Sequence, residues 1–294
     1  MANRGSYLLK AIRLLTPAVL ALATALMAFY VNARWVAVMV SAALAYGFLS
    51  SIVAARRLYF LAGASAHSAL LAAVLALPLT AITGLLSEQG WALIVGLILM
   101  YAVGYLIYRG VEPDTATAVF VAATASASVL AIYYVLTRFP VEVELWAIIV
   151  GDPLLASKEE AIFALSVAAI TVLTTLLTYR EQVYVGIDRE FARLTGLRVW
   201  AYDLLTFTLL ALTTVGLIKV VGFVLEHVLL LLPSAIGVRL SRSSRGVLAI
   251  SACSSLSASL AGLCLAILLD QSPAGVVGLI LLSAYVASLL AVRR

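Results

Sequence analysis

Long apolar runs separated by short polar stretches repeat along the whole chain. They fall at about 11–30, 35–54, 63–85, 91–108, 116–137, 160–179, 200–220, 223–238, 246–269 and 274–292. Most are roughly 18 to 23 residues long, the length a helix needs to cross a hydrocarbon core of about 30 Å. In hydrocarbon the backbone must satisfy its own hydrogen bonds, so each run is expected to be a helix. The runs do not alternate every second residue, as barrel strands would. Two segments depart from the pattern. The stretch 144–156 is too short to cross and is interrupted by Gly151-Asp152-Pro153, which predicts an interfacial or re-entrant piece. The run 223–238 is short and contains Pro233, which predicts a broken span. The expected fold is therefore all-α: a polytopic transmembrane helical bundle of about 9–10 spans, with one or two short broken or re-entrant segments, forming a single domain over 1–294.

Composition agrees with this pattern. The chain is 64% hydrophobic and 11% charged with a mean hydropathy of +1.14, whereas a soluble domain carries about 25% charged residues. The net charge of +5 does not indicate nucleic acid, because no basic stripe with interleaved aromatics lies outside the apolar runs. Its distribution instead sets an orientation. With the N-terminus in the cytoplasm, 15 of the 19 Lys and Arg residues fall inside and Arg34, Arg138, Lys158 and Lys219 fall near the outer side. Basic residues resist translocation, so both termini are expected in the cytoplasm of a multi-pass cell-membrane protein. The run 11–30 follows a basic start without a small-residue cleavage site and reads as a signal anchor. Glu88, Glu142, Glu144 and Asp270 give the outer loops a mildly acidic character, which would attract cations. Cys253 and Cys264 share one run and one helical face, the arrangement of small residues in helix packing. No GxxxxGK[ST] loop is present, so any use of ATP would fall to another polypeptide. The longest polar inner stretch, 179–200, would be its dock.

Five stretches carry a family resemblance. They are Arg56-Arg57-Leu58 with Ala66-His67-Ser68-Ala69-Leu70-Leu71, then Gly151-Asp152-Pro153-Leu154-Leu155-Ala156, then the segment from Gly186 to Gly196. Val221-Gly222 through Leu231-Leu232-Pro233-Ser234-Ala235 and Asp270-Gln271-Ser272-Pro273-Ala274-Gly275 complete the set. In this order, over about 35–292, they resemble the membrane permease subunits of zinc and manganese ABC importers, the ABC-3 metal permeases. These are related more distantly to the vitamin B12 and iron-siderophore permeases. The run 11–30 is then an additional N-terminal span.

The resemblance implies a permease subunit without an ATP site of its own, moving a divalent transition metal (zinc, manganese or iron) or its chelate inward by alternating access. It implies cytoplasmic ATP-binding-cassette ATPase subunits, an extracytoplasmic metal-binding protein and a second permease copy as partners, with no permanently bound cofactor. The segment 180–199 would be the coupling segment, with Asp188 capping a short helix through Ala192, Glu190 in its first turn and Gly196 ending it. The family usually places an Asp four residues before the histidine, where this chain has Gly63. Glu226 and His227 stand where apolar or hydroxyl residues are usual. His67, Glu226 and His227 are therefore the expected metal pathway, since imidazole with carboxylate suits zinc, manganese or iron. A histidine bonded to a neighbouring helix carbonyl, and an ion pair between Glu226 and Lys219, are the plainer explanations of the same residues. A gradient-driven secondary carrier for a cation is the alternative function; it would need midplane carboxylates, for which Asp203 and Glu226 are the candidates. An intramembrane enzyme would need a nucleophile–base pair within the spans, and no suggestive spacing offers one.

Overall fold

Helix boundaries along the chain coincide with side chains able to hold an orphan backbone N–H. The computed structural model describes residues 32–140, 142–151, 153 and 156–291. The predicted span 11–30 and the residues Asp152, Leu154 and Leu155 lie outside the described residues. Asn32 caps α1 (Ala33–Arg56), and the left-handed Arg57 (φ 57°) ends it. After Leu58, α2 (Tyr59–Thr83) runs to the left-handed Gly84. Ser87 caps α3 (Glu88–Tyr108); Glu112, with Pro113 behind it, caps α4 (Pro113–Arg138). The short α5 (Glu142–Val150) follows. Ser157 and Glu160 form a reciprocal capping box on α6 (Lys158–Ile187), worth about 1 kcal/mol or more by the usual scale of N-caps. Then come α7 (Arg189–Leu194), α8 (Val199–Leu240), α9 (Ser244–Leu269) and α10 (Pro273–Ala291).

Eight of these helices are long and apolar enough to cross a membrane. The 42-residue α8 would measure about 63 Å if straight, twice a bilayer core. It is not straight. Gly222 has φ 77° and ψ 157°, and both ends of α8 lie at the same end of the bundle. Asp203 reaches Arg56 at the end of α1, and the Ser234 hydroxyl lies 3.5 Å from that of Tyr59 at the start of α2. Lys219, just before the break, lies instead against Glu88 at the start of α3. The chain thus turns back at Gly222. Eight long helices, one of them doubled, give nine crossings among the described residues.

This locates the break that the sequence pattern assigned to Pro233. Pro233 is inside continuous helix, and the non-helical residue is Gly222. A φ near +77° with extended ψ is open only to glycine. The expected re-entrant piece also takes a definite form: α5 is one short helix, and Gly151 after it (φ 71°) presses its backbone on the turn of α8. A Cβ on Gly151 would meet the Val221 carbonyl carbon at 2.2 Å, and one on Gly222 would meet the Gly151 nitrogen at 2.3 Å. Two glycines in contact are what let the segments cross.

The helices sort into a centre and a ring. The apolar stretches of α1 and α2 are 78% and 72% buried, against 22% for α3 and 28% for α4 and α10. Leu177 on α6, Leu268 on α9 and Leu290 on α10 point outward, as lipid-facing side chains do. Hydroxyls inside the bundle are satisfied locally: Ser50 donates to Gly47, Ser65 to Ala62 and Thr214 to Leu210. Others join helices. Ser255 on α9 donates to Ala43 of α1, and Thr171 on α6 meets Thr213 on α8 at 2.8 Å.

Candidate functional site

His67 lies eight residues into α2, about 12 Å along its axis. His227 lies five residues beyond the turn of α8. The fold brings their rings together: the centroids are 5.5 Å apart, edge to face, with Phe223 against both at 5.1 and 4.7 Å. Both histidines are half-buried. The His227 Nδ1 is 2.8 Å from the Phe223 carbonyl. A carbonyl can only accept, so Nδ1 is the donor in this contact, and Nε2 is the ring nitrogen it leaves unengaged. That second-sphere bond also fixes the ring, as in metal-ligating histidines generally. Two imidazoles sharing one tetrahedral metal, with metal–nitrogen bonds of about 2.0–2.1 Å, hold their centroids about 5 Å apart. The observed separation is close to that.

Glu226 goes elsewhere. Neighbouring helical residues point about 100° apart, and Glu226 is fully buried with both carboxylate oxygens lacking a hydrogen-bond partner. Tyr46 of α1 is within its electrostatic reach, and the Tyr46 hydroxyl donates to the Thr213 carbonyl at 3.3 Å. The structure therefore joins His67 to His227 and sets Glu226 about 100° round the same helix, buried in the bundle. Among the described residues no three His, Cys, Asp or Glu side chains converge to hold a metal ion. Lys219, the alternative partner of Glu226, is paired instead with Glu88. That ion pair lines a cavity between α2, α3, α6 and α8 that also includes Glu160 and Phe163. Cys253 and Cys264 are free and partly buried.

At the opposite end of the bundle the segment after α6 folds as a single short helix. Asp188 caps α7 by accepting from the Glu190 and Phe191 amides at 2.9 and 3.0 Å. Ala192 is buried against Val185 and Val199, and Gly196 in the left-handed region (φ 87°) closes the segment. Glu190 faces outward, as do Phe191 and Leu194, two large apolar side chains held outside the membrane-crossing helices.

Behind α7 lies a polar cluster that the sequence did not reveal. Arg56, nearly buried, donates to Gln182 Oε1 at 2.7 Å and also pairs with Asp203. Arg189, the first residue of α7, clasps both oxygens of Asp203 at 3.2 and 2.6 Å. Thr206 and Gln182 complete the set at 3.2 Å. Asp203, the carboxylate a gradient-driven carrier would need at midplane, is thus at a helix end between two guanidinium groups.

The model of the ABC 3 transport family matches residues 26–292. The chain belongs to that family. This ABC 3 chain is 29% identical over 181 residues to the manganese transport system membrane protein MntC of Halalkalibacterium halodurans, covering 61% of each chain. It is 29% identical over 154 residues to the manganese transport system membrane protein MntB of Synechocystis, covering 52% of this chain and 50% of that one. The matched stretches thus span between half and two thirds of these curated relatives. A chain of PsaBC from Streptococcus pneumoniae in complex with Fab has the same fold. Its TM-score is 0.73 at 19% identity, with 87% of this chain and 91% of that one covered.

Proposed function

We propose that this chain is the membrane-spanning permease of an ATP-driven importer, moving a divalent first-row transition metal inward through a pathway that includes His67, His227 and Glu226. The observation that carries this reading is the imidazole pair, set between two crossings with the His227 ring held by its Nδ1 contact to the Phe223 carbonyl. Two ligands per chain make an incomplete site. That suits cargo, because a closed four-ligand site would hold the ion too tightly to release. A second copy of the chain, or water, completes the coordination during passage. The manganese systems among the relatives favour the same class of ion, and imidazole alone accommodates zinc, manganese or iron. Glu226 adds a buried, unpartnered carboxyl group on the same half of α8.

The energy source is a separate ATPase docked on α7, with Phe191 and Leu194 as its apolar contacts and the basic end of the bundle in the cytoplasm, following the distribution of Lys and Arg. An extracytoplasmic metal-binding protein delivers the ion to the other end.

Reconstitution in vesicles tests the proposal. Manganese uptake should require both ATP and the ATPase, and the purified chain alone should bind no nucleotide. Uptake driven by an ion gradient without the ATPase would overturn it.

A further inference from the structure

We infer that Asp203 is the mechanical joint between the ATPase-facing helix α7 and both metal-bearing segments, with Arg189 and Arg56 as its two arms. The inference rests on the proposed docking of the ATPase at α7 and adds the route by which its motion reaches the histidines.

Two chain paths leave this joint. Arg56 is the last residue of α1; the turn at Arg57 and Leu58 leads directly into α2 and, eight residues on, to His67. Asp203 is in the second turn of α8, whose first half ends at the Gly222 turn, five residues before His227. A displacement of α7 is therefore delivered at once to the helices that carry both imidazoles.

The chemistry makes the joint stiff. Arg189 grips Asp203 with two bonds, at 3.2 and 2.6 Å, and a two-pronged guanidinium–carboxylate contact resists rotation as well as separation. Arg56 has only 4% of its side chain exposed, against 50% for Arg189. If Asp203 moves, Arg56 must follow, because a buried guanidinium left without its carboxylate is strongly disfavoured. Gln182 adds α6 to the same clamp: its amide oxygen accepts from Arg56 at 2.7 Å and from Thr206 at 3.2 Å, and it is fully buried. At Gly186, one turn further along α6, the backbone passes so close to α1 that an added Cβ would meet the Ala55 carbonyl oxygen at 2.0 Å. The clamp thus sits where α6 and α1 cannot separate without breaking a tight backbone contact.

These are positioning residues, and a merely structural salt bridge would occupy the same place. Hydrogen–deuterium exchange of the complex with its ATPase, with and without a non-hydrolysable ATP analogue, distinguishes the two roles. In the native complex, nucleotide should change exchange in 189–196 and also in 53–58 and 199–206. In Arg189→Gln, whose side chain is exposed enough for the fold to survive its loss, the change should persist in 189–196 and disappear from the other two stretches. Manganese moved per ATP hydrolysed should fall at least tenfold, and Arg189→Lys should recover only part of it, since an ammonium cannot clasp both oxygens. Asp203→Glu, which keeps the charge, should retain more coupling than Asp203→Asn.

An unaltered spread of the nucleotide response to 53–58 and 199–206 in Arg189→Gln would overturn the joint. So would a native complex with no nucleotide response in 189–196, which would also remove the docking reading. If the native complex gives the expected exchange pattern without carrying manganese, the cargo is wrong and the joint stands.

Discussion

The two halves of α8 are built on opposite principles, although they belong to one element and share a turn. The first half is held at both ends by ion pairs: Asp203 with Arg56 and Arg189, Lys219 with Glu88. In the second half, the two polar residues nearest the turn are held by neither. Glu226 is buried without a hydrogen-bond partner, and His227 bonds to its own helix. On the proposed function, the difference separates transmission from cargo handling. A segment that passes on force benefits from charged contacts that fix its position, whereas a segment that meets an ion and lets it go must keep ligating atoms uncommitted.

The turn between the halves should be the most sensitive point. Gly222→Ala forces a side chain into a glycine-only conformation and onto the Gly151 backbone at 2.3 Å. Loss of folded protein is the expected outcome, read as the monodisperse fraction recovered in detergent; a normal yield would show that the halves tolerate a different turn. Next in size, Asp203→Asn should destabilise the protein by about 3 kcal/mol, the lower end for breaking a buried pair because Asp203 keeps some solvent contact. Glu226→Leu should act in the other direction. Removing a buried polar group with no partner should stabilise by about 1–3 kcal/mol while impairing transport. Denaturation midpoints of the two variants check the contrast directly, and a destabilised Glu226→Leu would mean that the second half is held as firmly as the first. Lys219→Ala should have the smallest effect, below about 1 kcal/mol, because its pair with Glu88 is partly exposed. Transport with Lys219→Ala should remain close to normal.

How much of this was legible in the sequence follows from the range of the forces involved. Hydrophobic runs report directly on burial in lipid, so the crossings at 35–54, 63–85 and 246–269 fall within the observed helices α1, α9 and, apart from one residue pair at its end, α2. The Asp188 cap and the Gly196 stop are local, and both are found. The position of the turn was harder. Pro233 is the more conspicuous breaker, yet Gly222 takes that role because only glycine admits the required φ. The pairing of His67 with His227 could be anticipated as two histidines in apolar runs, since such groups rarely face lipid. That Glu226 is set round the helix from His227 follows from the angle of about 100° between neighbouring helical residues and could have been read from the sequence. The Asp203 joint could not. Its members are separated by up to 147 residues, and no periodicity links them. The available signal was an aspartate just inside an apolar run, which physics permits only with a partner nearby.

The central claim is that His67 and His227 together take the metal. Pulsed electron paramagnetic resonance of the Mn(II)-loaded protein tests it most directly, because nitrogen coupled to the ion is read from the spectrum without reference to transport. The account predicts coupling to two imidazole nitrogens from each chain, reduced to one by His67→Ala and likewise by His227→Ala. A spectrum with oxygen ligands alone, unchanged in both variants, would contradict it.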